Sequence, residues 1–212
     1  MSGELVGEET AKATQEVAKA AGKGIDLVEK LGDSRVGQVI SGVVAESLGL
    51  LQDWFRHARI RNLVRLEQRT REILEERGVE PLLIDQVSPV LLSPIVQAAA
   101  DESRSELQDM FASLLAAAMD PARVDEVRQS FVEAVKRMDP LDARILQDAD
   151  DSLSGHGDMR GQLALGFDVS EDQIQVSFEN LCALGLAEFV SSGQRGVHFT
   201  AKGRELMRVA TD

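Results

Sequence analysis

The sequence predicts a mainly α protein, with long N-terminal helices, a helical middle domain, and a C-terminal domain that adds a small β-hairpin to further helices. Three observations predict it. Within Glu106–Pro121, the residues Leu107, Met110, Phe111, Leu114, Leu115 and Ala118 follow the spacing of one helical apolar stripe. Apolar residues make up 43% of the chain, but aromatics only 4%, and tyrosine is absent. Leu, Val and Ala must therefore fill the interior, which suits helix against helix. After residue 139, helical patterns give way to two short apolar runs around a Ser/Gly turn.

The totals bound the rest. A chain of 212 residues holds one domain or two small ones. The formal charge of −13 makes the molecule as a whole repel nucleic acid and anionic membrane. Cys182 is the single cysteine, so no intrachain disulfide forms, and a reducing cytosol is expected. The first residues lack the basic and apolar regions of a secretory signal, and no run of 18 apolar residues occurs. The expectation is a soluble, cytoplasmic protein, with a peripheral place at the inner membrane as the open alternative.

Residues 1–78 read as the first unit. From Glu8 to Leu31 the chain is rich in Ala, Lys and Glu, the pattern of an exposed helix weakened at Gly22 and Gly24. Gly32-Asp33-Ser34 is a stop and restart signal. Val36–Leu51 interleaves Val, Ile and Leu with Gly37, Gly42 and Gly49. Small residues let another backbone approach closely. One reading is a helix packed in a core or an oligomer seam; the other is a segment that enters a membrane, against which Glu46 counts. Trp54 and Phe55 follow. Then Arg56, Arg59, Arg61, Arg65, Arg69 and Arg71 fall within 16 residues, opposed only by Glu67, a window of +5 that leaves −18 on everything else. An apolar helix, an aromatic pair and an arginine run have the order of a membrane-surface element. The plainer reading is a long helix whose arginines pair with acids of this chain or of a second copy, as surface runs of charge usually do. Nucleic acid is disfavoured, because stacking aromatics do not alternate with the arginines. Gly78 fits the C′ position that closes the helix.

Residues 79–138 form the second unit. Pro81, Pro89 and Pro94 forbid one long helix over Val79–Pro94, so a connector and a short helix from Ser93 to Ala100 are expected. Ser103 or Ser105 can cap the central helix, and Asp120-Pro121 ends it. Val124, Val127, Phe131, Val135 and Met138 then predict a second amphipathic helix, antiparallel to the first.

The string Glu106-Leu107-Gln108-Asp109-Met110-Phe111-Ala112-Ser113-Leu114-Leu115-Ala116 resembles the Abi-alpha family. Met119-Asp120-Pro121, Ser130-Phe131-Val132-Glu133 and Met138-Asp139-Pro140-Leu141-Asp142-Ala143 extend the resemblance. So do Gly24-Ile25-Asp26-Leu27 and the stretch from Trp54 through Arg61-Asn62 to Ile73-Leu74-Glu75-Glu76-Arg77-Gly78. It spans most of residues 8–150. The family is associated with bacterial abortive-infection loci, so the resemblance implies defence against phage. It supplies no catalytic residue.

Residues 139–212 form the third unit. Asp139-Pro140-Leu141 opens a helix with Leu141, Ile145 and Leu146 inward, and Met159–Leu165 is a short second helix. Ser170 caps a third carrying Ile174, Val176, Phe178, Leu181 and Leu184, ended by Gly185. Leu186–Val190 and Val197–Thr200 read as paired strands, and Thr200 caps a last helix. This is the order of a winged helix, and Phe199-Thr200-Ala201-Lys202-Gly203-Arg204-Glu205-Leu206 resembles the segment after the wing. Major-groove readers need donors on the third helix. Ser170–Asn180 offers Glu171, Asp172 and Glu179 and no Lys or Arg, and the unit carries −7. Protein contact is therefore expected rather than duplex binding. Arg195 at the wing tip is a candidate contact, against the plainer reading of a solvated turn residue.

No motif argues for an enzyme or a cofactor. His57, His156 and His198 lack partners at zinc-ligand spacing. Asp148, Asp150, Asp151 and Asp158 do not match a calcium loop, Gly22-Lys23-Gly24 lacks a P-loop frame, and Cys182 sits in an apolar helix. The expectation is a non-enzymatic phage-defence protein working through protein contacts, as a homo-oligomer, with an anionic membrane surface as a further partner. A winged-helix transcription regulator and an oligomeric scaffold are the alternatives.

Overall fold

The computed structural model describes Leu31 and residues 34–44, 53–80, 89–148, 159–189 and 197–210, with the side chains of 53–56 and 89 outside that description. The described residues form nine α-helices, one 3-10 turn and a two-stranded antiparallel hairpin: a mainly α protein. The helices are α1 Arg35–Val44, α2 Asp53–Glu76, α3 Pro89–Asp101, α4 Ser105–Met119, α5 Gln129–Val135, α6 Pro140–Asp148, α7 Met159–Phe167, α8 Glu171–Ala183 and α9 Ala201–Ala210. Strands β1 Ala187–Phe189 and β2 Val197–Phe199 pair with Glu188 opposite His198.

Helix α4 is the centre of the molecule. Twelve of its 15 residues are buried, so the expected stripe is a helix covered nearly all round. It packs against α2, α3, α5, α6, α9 and the 3-10 turn. Four alanines, Ala112 and Ala116–Ala118, are among its buried residues. Their small side chains let neighbours approach closely on several sides. Asp120, extended at ψ 114 before Pro121, ends the helix as expected. The N-cap is Arg104, without a side-chain cap bond; Ser105 instead donates to the Glu106 carboxylate at 2.9 Å.

Helix ends follow local chemistry. Ser170 accepts from the Gln173 N–H and its own N–H donates to the Gln173 side chain, a capping box. Thr200 Oγ1 accepts from the Gly203 N–H at 3.1 Å and caps α9. Gly78 and Gly185 take φ near +68 and +69, each the C′ residue of a Schellman turn whose paired bonds are Gly78→Glu75 with Val79→Leu74, and Gly185→Cys182 with Leu186→Leu181. Asp168 does the same at the end of α7 with φ 56, where the Val169 N–H reaches the Ala164 carbonyl.

Three expectations need correction. Helix α3 starts at Pro89 rather than Ser93 and continues through Pro94, which forgoes the bond to Val90 that a helical N–H would make. The second amphipathic helix is split into the 3-10 turn Val124–Glu126 and α5. The backbone is extended at Val127 and Arg128 between them, and Asp120 holds the turn by accepting from the N–H groups of Ala122, Arg123 and Val124. The apolar set is kept, with Val127, Phe131, Val135 and Met138 all buried. Val176, grouped with the apolar residues of α8, is 65% exposed and stands apart from Ile174, Phe178, Leu181 and Leu184, which are buried.

The C-terminal elements follow the expected order of three helices, hairpin and helix. Helix α9 lies on α4 and α6 and touches β2. Its Gly203 is buried against the Leu186 backbone: a Cβ there would lie 3.0 Å from the Leu186 carbonyl carbon and closer still to its oxygen. All of the expected helix over Glu8–Leu31 except Leu31 itself, with Gly22 and Gly24, the 150–158 loop with His156, and the expected wing tip with Arg195 lie outside the described residues, as does 45–52 of the apolar Val36–Leu51 segment.

Candidate functional site

The arginine run is one face-crossing stretch of a single helix, α2. Trp54, Phe55 and Arg56 lie on its first turn, with side chains outside the described residues. Arg59 makes a bidentate pair with Asp101 at the end of α3, 2.5 Å from Nε and 2.8 Å from Nη2. Arg65 lies 3.7 Å from Asp109 of α4. Arg69 pairs with Glu72 at 3.1 Å and Arg71 approaches Glu67 at 3.6 Å. Arg61 is exposed and has no ion pair among the described residues. The run is thus largely consumed within the chain, and two of its pairs cross to neighbouring helices.

Glu67 itself is 6% exposed and works toward α1. Ser34, the residue before α1, donates from Oγ to Glu67 at 2.6 Å and accepts from the Gly37 N–H at 2.9 Å. One hydroxyl therefore caps α1 and ties it to α2. Val36, Gly37, Ile40 and Val44 are buried, and α1 packs on α2 and α3. Over the described part of Val36–Leu51, the apolar stripe faces its own chain. Among the described residues, no helix is long and apolar enough to cross a membrane.

The second cationic feature was invisible as a motif. An open groove of about 390 Å³ is lined by Ser130, Glu133, Ala134 and Arg137 from α5 and the turn after it, Leu184 after α8, and Lys202 of α9. The backbone at Arg137 is fixed from two sides: its N–H donates to Ala134 at 3.0 Å and its carbonyl accepts from Asn180 at 3.2 Å. Asn180 also donates to Asp142, which is 1% exposed, at 2.5 Å. The Arg137 side chain is exposed and makes no hydrogen bond or ion pair among the described residues. Lys202 Nζ donates to the Leu184 carbonyl at 2.8 Å, one of the three donors of an ammonium group. Glu133 is held by Lys136, with both oxygens within 3.3 Å.

The exposed surface of α8 carries Glu171, Asp172 and Glu179 around Val176, with no Lys or Arg on the helix. Cys182 is half-buried; burial, with Glu188 and Glu179 adding, pushes its thiol above the ordinary range, away from thiolate chemistry. His57 and His198 are exposed. No group of three His, Cys, Asp or Glu among the described residues is placed to hold a metal ion.

A family model described as abortive infection alpha matches residues 61–200. No curated protein and no solved structure matches the chain. The matched stretch begins inside α2, after the Gly24–Leu27 string, and reaches beyond residue 150 to include α7, α8 and the hairpin. It contains the central helix, all the groove residues except Lys202, and the acidic face of α8. About two thirds of the sequence is covered, and the chain belongs to the abortive infection alpha family.

Proposed function

We propose that this chain is a non-enzymatic, cytoplasmic effector of abortive infection that acts by protein contact. The family match over residues 61–200 carries the defence role. The contact mode is supported by the groove beside α5, whose cations no carboxylate of the described residues neutralises. Contact includes further copies of the chain, and light scattering across concentrations separates self-association from contact with another protein.

The test is phage challenge of a bacterial culture expressing the chain, with growth followed at low and high phage-to-cell ratio. The reading requires survival at the low ratio and collapse at the high one. Equal growth loss with and without the chain, across a broad phage panel, refutes it.

A peripheral membrane role is the lesser reading. Arg59, Arg65, Arg69 and Arg71 are engaged with acids of their own chain, which leaves less charge for lipid headgroups. Co-flotation with anionic liposomes would reinstate it. A winged-helix regulator is favoured by the helix–hairpin–helix order, but phosphate neutralisation dominates duplex affinity. The acids of α8 oppose it. Salt-sensitive duplex binding at low ionic strength would overturn that judgement.

A further inference from the structure

The groove between α5, α8 and α9 combines three properties in a protein of charge −13. It carries two cations, Arg137 and Lys202, that no carboxylate of the described residues neutralises, while its one acid, Glu133, is occupied by Lys136. It has apolar walls from Ala134 and Leu184. Its principal cation stands on backbone locked to α8 through Asn180 and the buried Asp142. A planar guanidinium presents paired donors that match a carboxylate. Fixing the backbone beneath it lowers the ordering cost of binding.

Charge and size select the occupant. A duplex or a bilayer presents charge over a wide area and meets the acidic remainder of the chain. A short peptide meets only the groove, because charges beyond about 8 Å are largely screened at physiological salt. The volume of about 390 Å³ is near the lower end of the range for ligand pockets, about 300–1,000 Å³. That space suits an acidic side chain and one apolar neighbour.

Building on the contact reading above, we propose that this groove docks a short acidic peptide segment of a partner protein. The carboxylate pairs with Arg137, Lys202 supplies a second donor, and an apolar side chain beside the acid packs on Ala134 and Leu184. The same face excludes basic segments, because it offers them only the already paired Glu133.

The test uses the full chain and fluorescence anisotropy with two labelled hexapeptide pools. One pool fixes Asp or Glu beside an apolar residue; the other replaces the acid with Asn or Gln. Saturable binding of the acidic pool is expected, weakened at least tenfold in the amide pool and in Arg137→Glu. Arg61→Glu, which alters an exposed arginine on α2, should bind as the wild type does. Circular dichroism checks that each variant is folded. No saturable binding of the acidic pool, equal binding of both pools, or unchanged binding by folded Arg137→Glu overturns the proposal. Full displacement of the peptide by millimolar inorganic phosphate also overturns it, since the groove would then be a simple anion site. Phage challenge keeps the two claims apart. Protection by the wild type and equally by folded Arg137→Glu removes the groove's role and leaves the defence reading intact. If the wild type gives no protection, the defence reading fails, and the peptide measurement alone decides the groove.

Discussion

Replacing Gly203 with alanine sets helix propensity against packing. Gly203 lies inside α9, where alanine is favoured over glycine by about 1 kcal/mol. Propensity alone therefore predicts stabilisation. The added Cβ, however, would lie 3.0 Å from the Leu186 carbonyl carbon and 3.3 Å from its Cα, and nearer the oxygen than the 3.0 Å floor real Cβ atoms respect. The obstacle is backbone, which no rotamer change removes. Relief requires α9 to withdraw, and that stretches the Thr200 N–H bond to Leu186 at 2.9 Å and the Lys202 bond to Leu184 at 2.8 Å. Overpacking costs about 1–3 kcal/mol, and a weakened hydrogen bond adds about 1 kcal/mol. Against the propensity gain, Gly203→Ala should lose about 1–3 kcal/mol, or about 2–12 °C in Tm for a chain of this size. Urea and thermal unfolding followed by circular dichroism measure it. Gly42→Ala is the matched control: it sits in α1 with nothing within 4 Å of the new methyl, and should gain up to about 1 kcal/mol. A Gly203→Ala chain as stable as wild type would refute the close approach of α9 to the 184–186 turn.

Asn62→Ala removes the donor to the Ala100 carbonyl at the buried end of α3 and should cost about 1–3 kcal/mol in urea unfolding. Ser170→Ala breaks the capping box of α8 and should cost about 1 kcal/mol by the same measurement. Acid titration should expose the carboxylates held by arginine. Hydrogen bonds from Arg208 and then Arg123 keep Glu126 below the usual glutamate value. At Glu102, burial opposes the charge, and the Arg104 hydrogen bonds outweigh it. Depressed folded values mean that the unfolded chain binds more protons, so this stabilisation is complete above about pH 4.3 and is lost as pH falls through the lower folded values. Glu126→Gln should flatten the acid limb of a stability–pH curve; an unchanged limb would remove Glu126 from the account.

What could be read from the sequence was local. The stripe of α4, the αL glycines at 78 and 185, the Ser170 cap and the Thr200 cap depend on residues within a few positions of one another, and all stand where expected. What could not be read was tertiary. Residues 124–138 keep a helical apolar spacing, yet Glu126 is pulled into a lock with Arg208, and the Arg123 guanidinium reaches the Arg208 carbonyl 85 positions away. Val176, by contrast, could have been read: two residues on from Ile174, it sits about 200° round the helix, away from the buried stripe of Ile174, Phe178 and Leu181, and it is exposed. The arginine run was correctly placed on one helix, while its partners Asp101 and Asp109 could not be chosen from among 36 acids. Arg137 and Lys202 carry no motif; only the packing of α5, α8 and α9 brings them to one groove.

The most direct measurement is single-burst phage release from cells expressing the chain, infected at a high phage-to-cell ratio, with cell recovery scored on the same culture. The account predicts that infected cells fail to recover and release few or no progeny. Full recovery of infected cells, or a burst equal to that of cells lacking the chain, would contradict it.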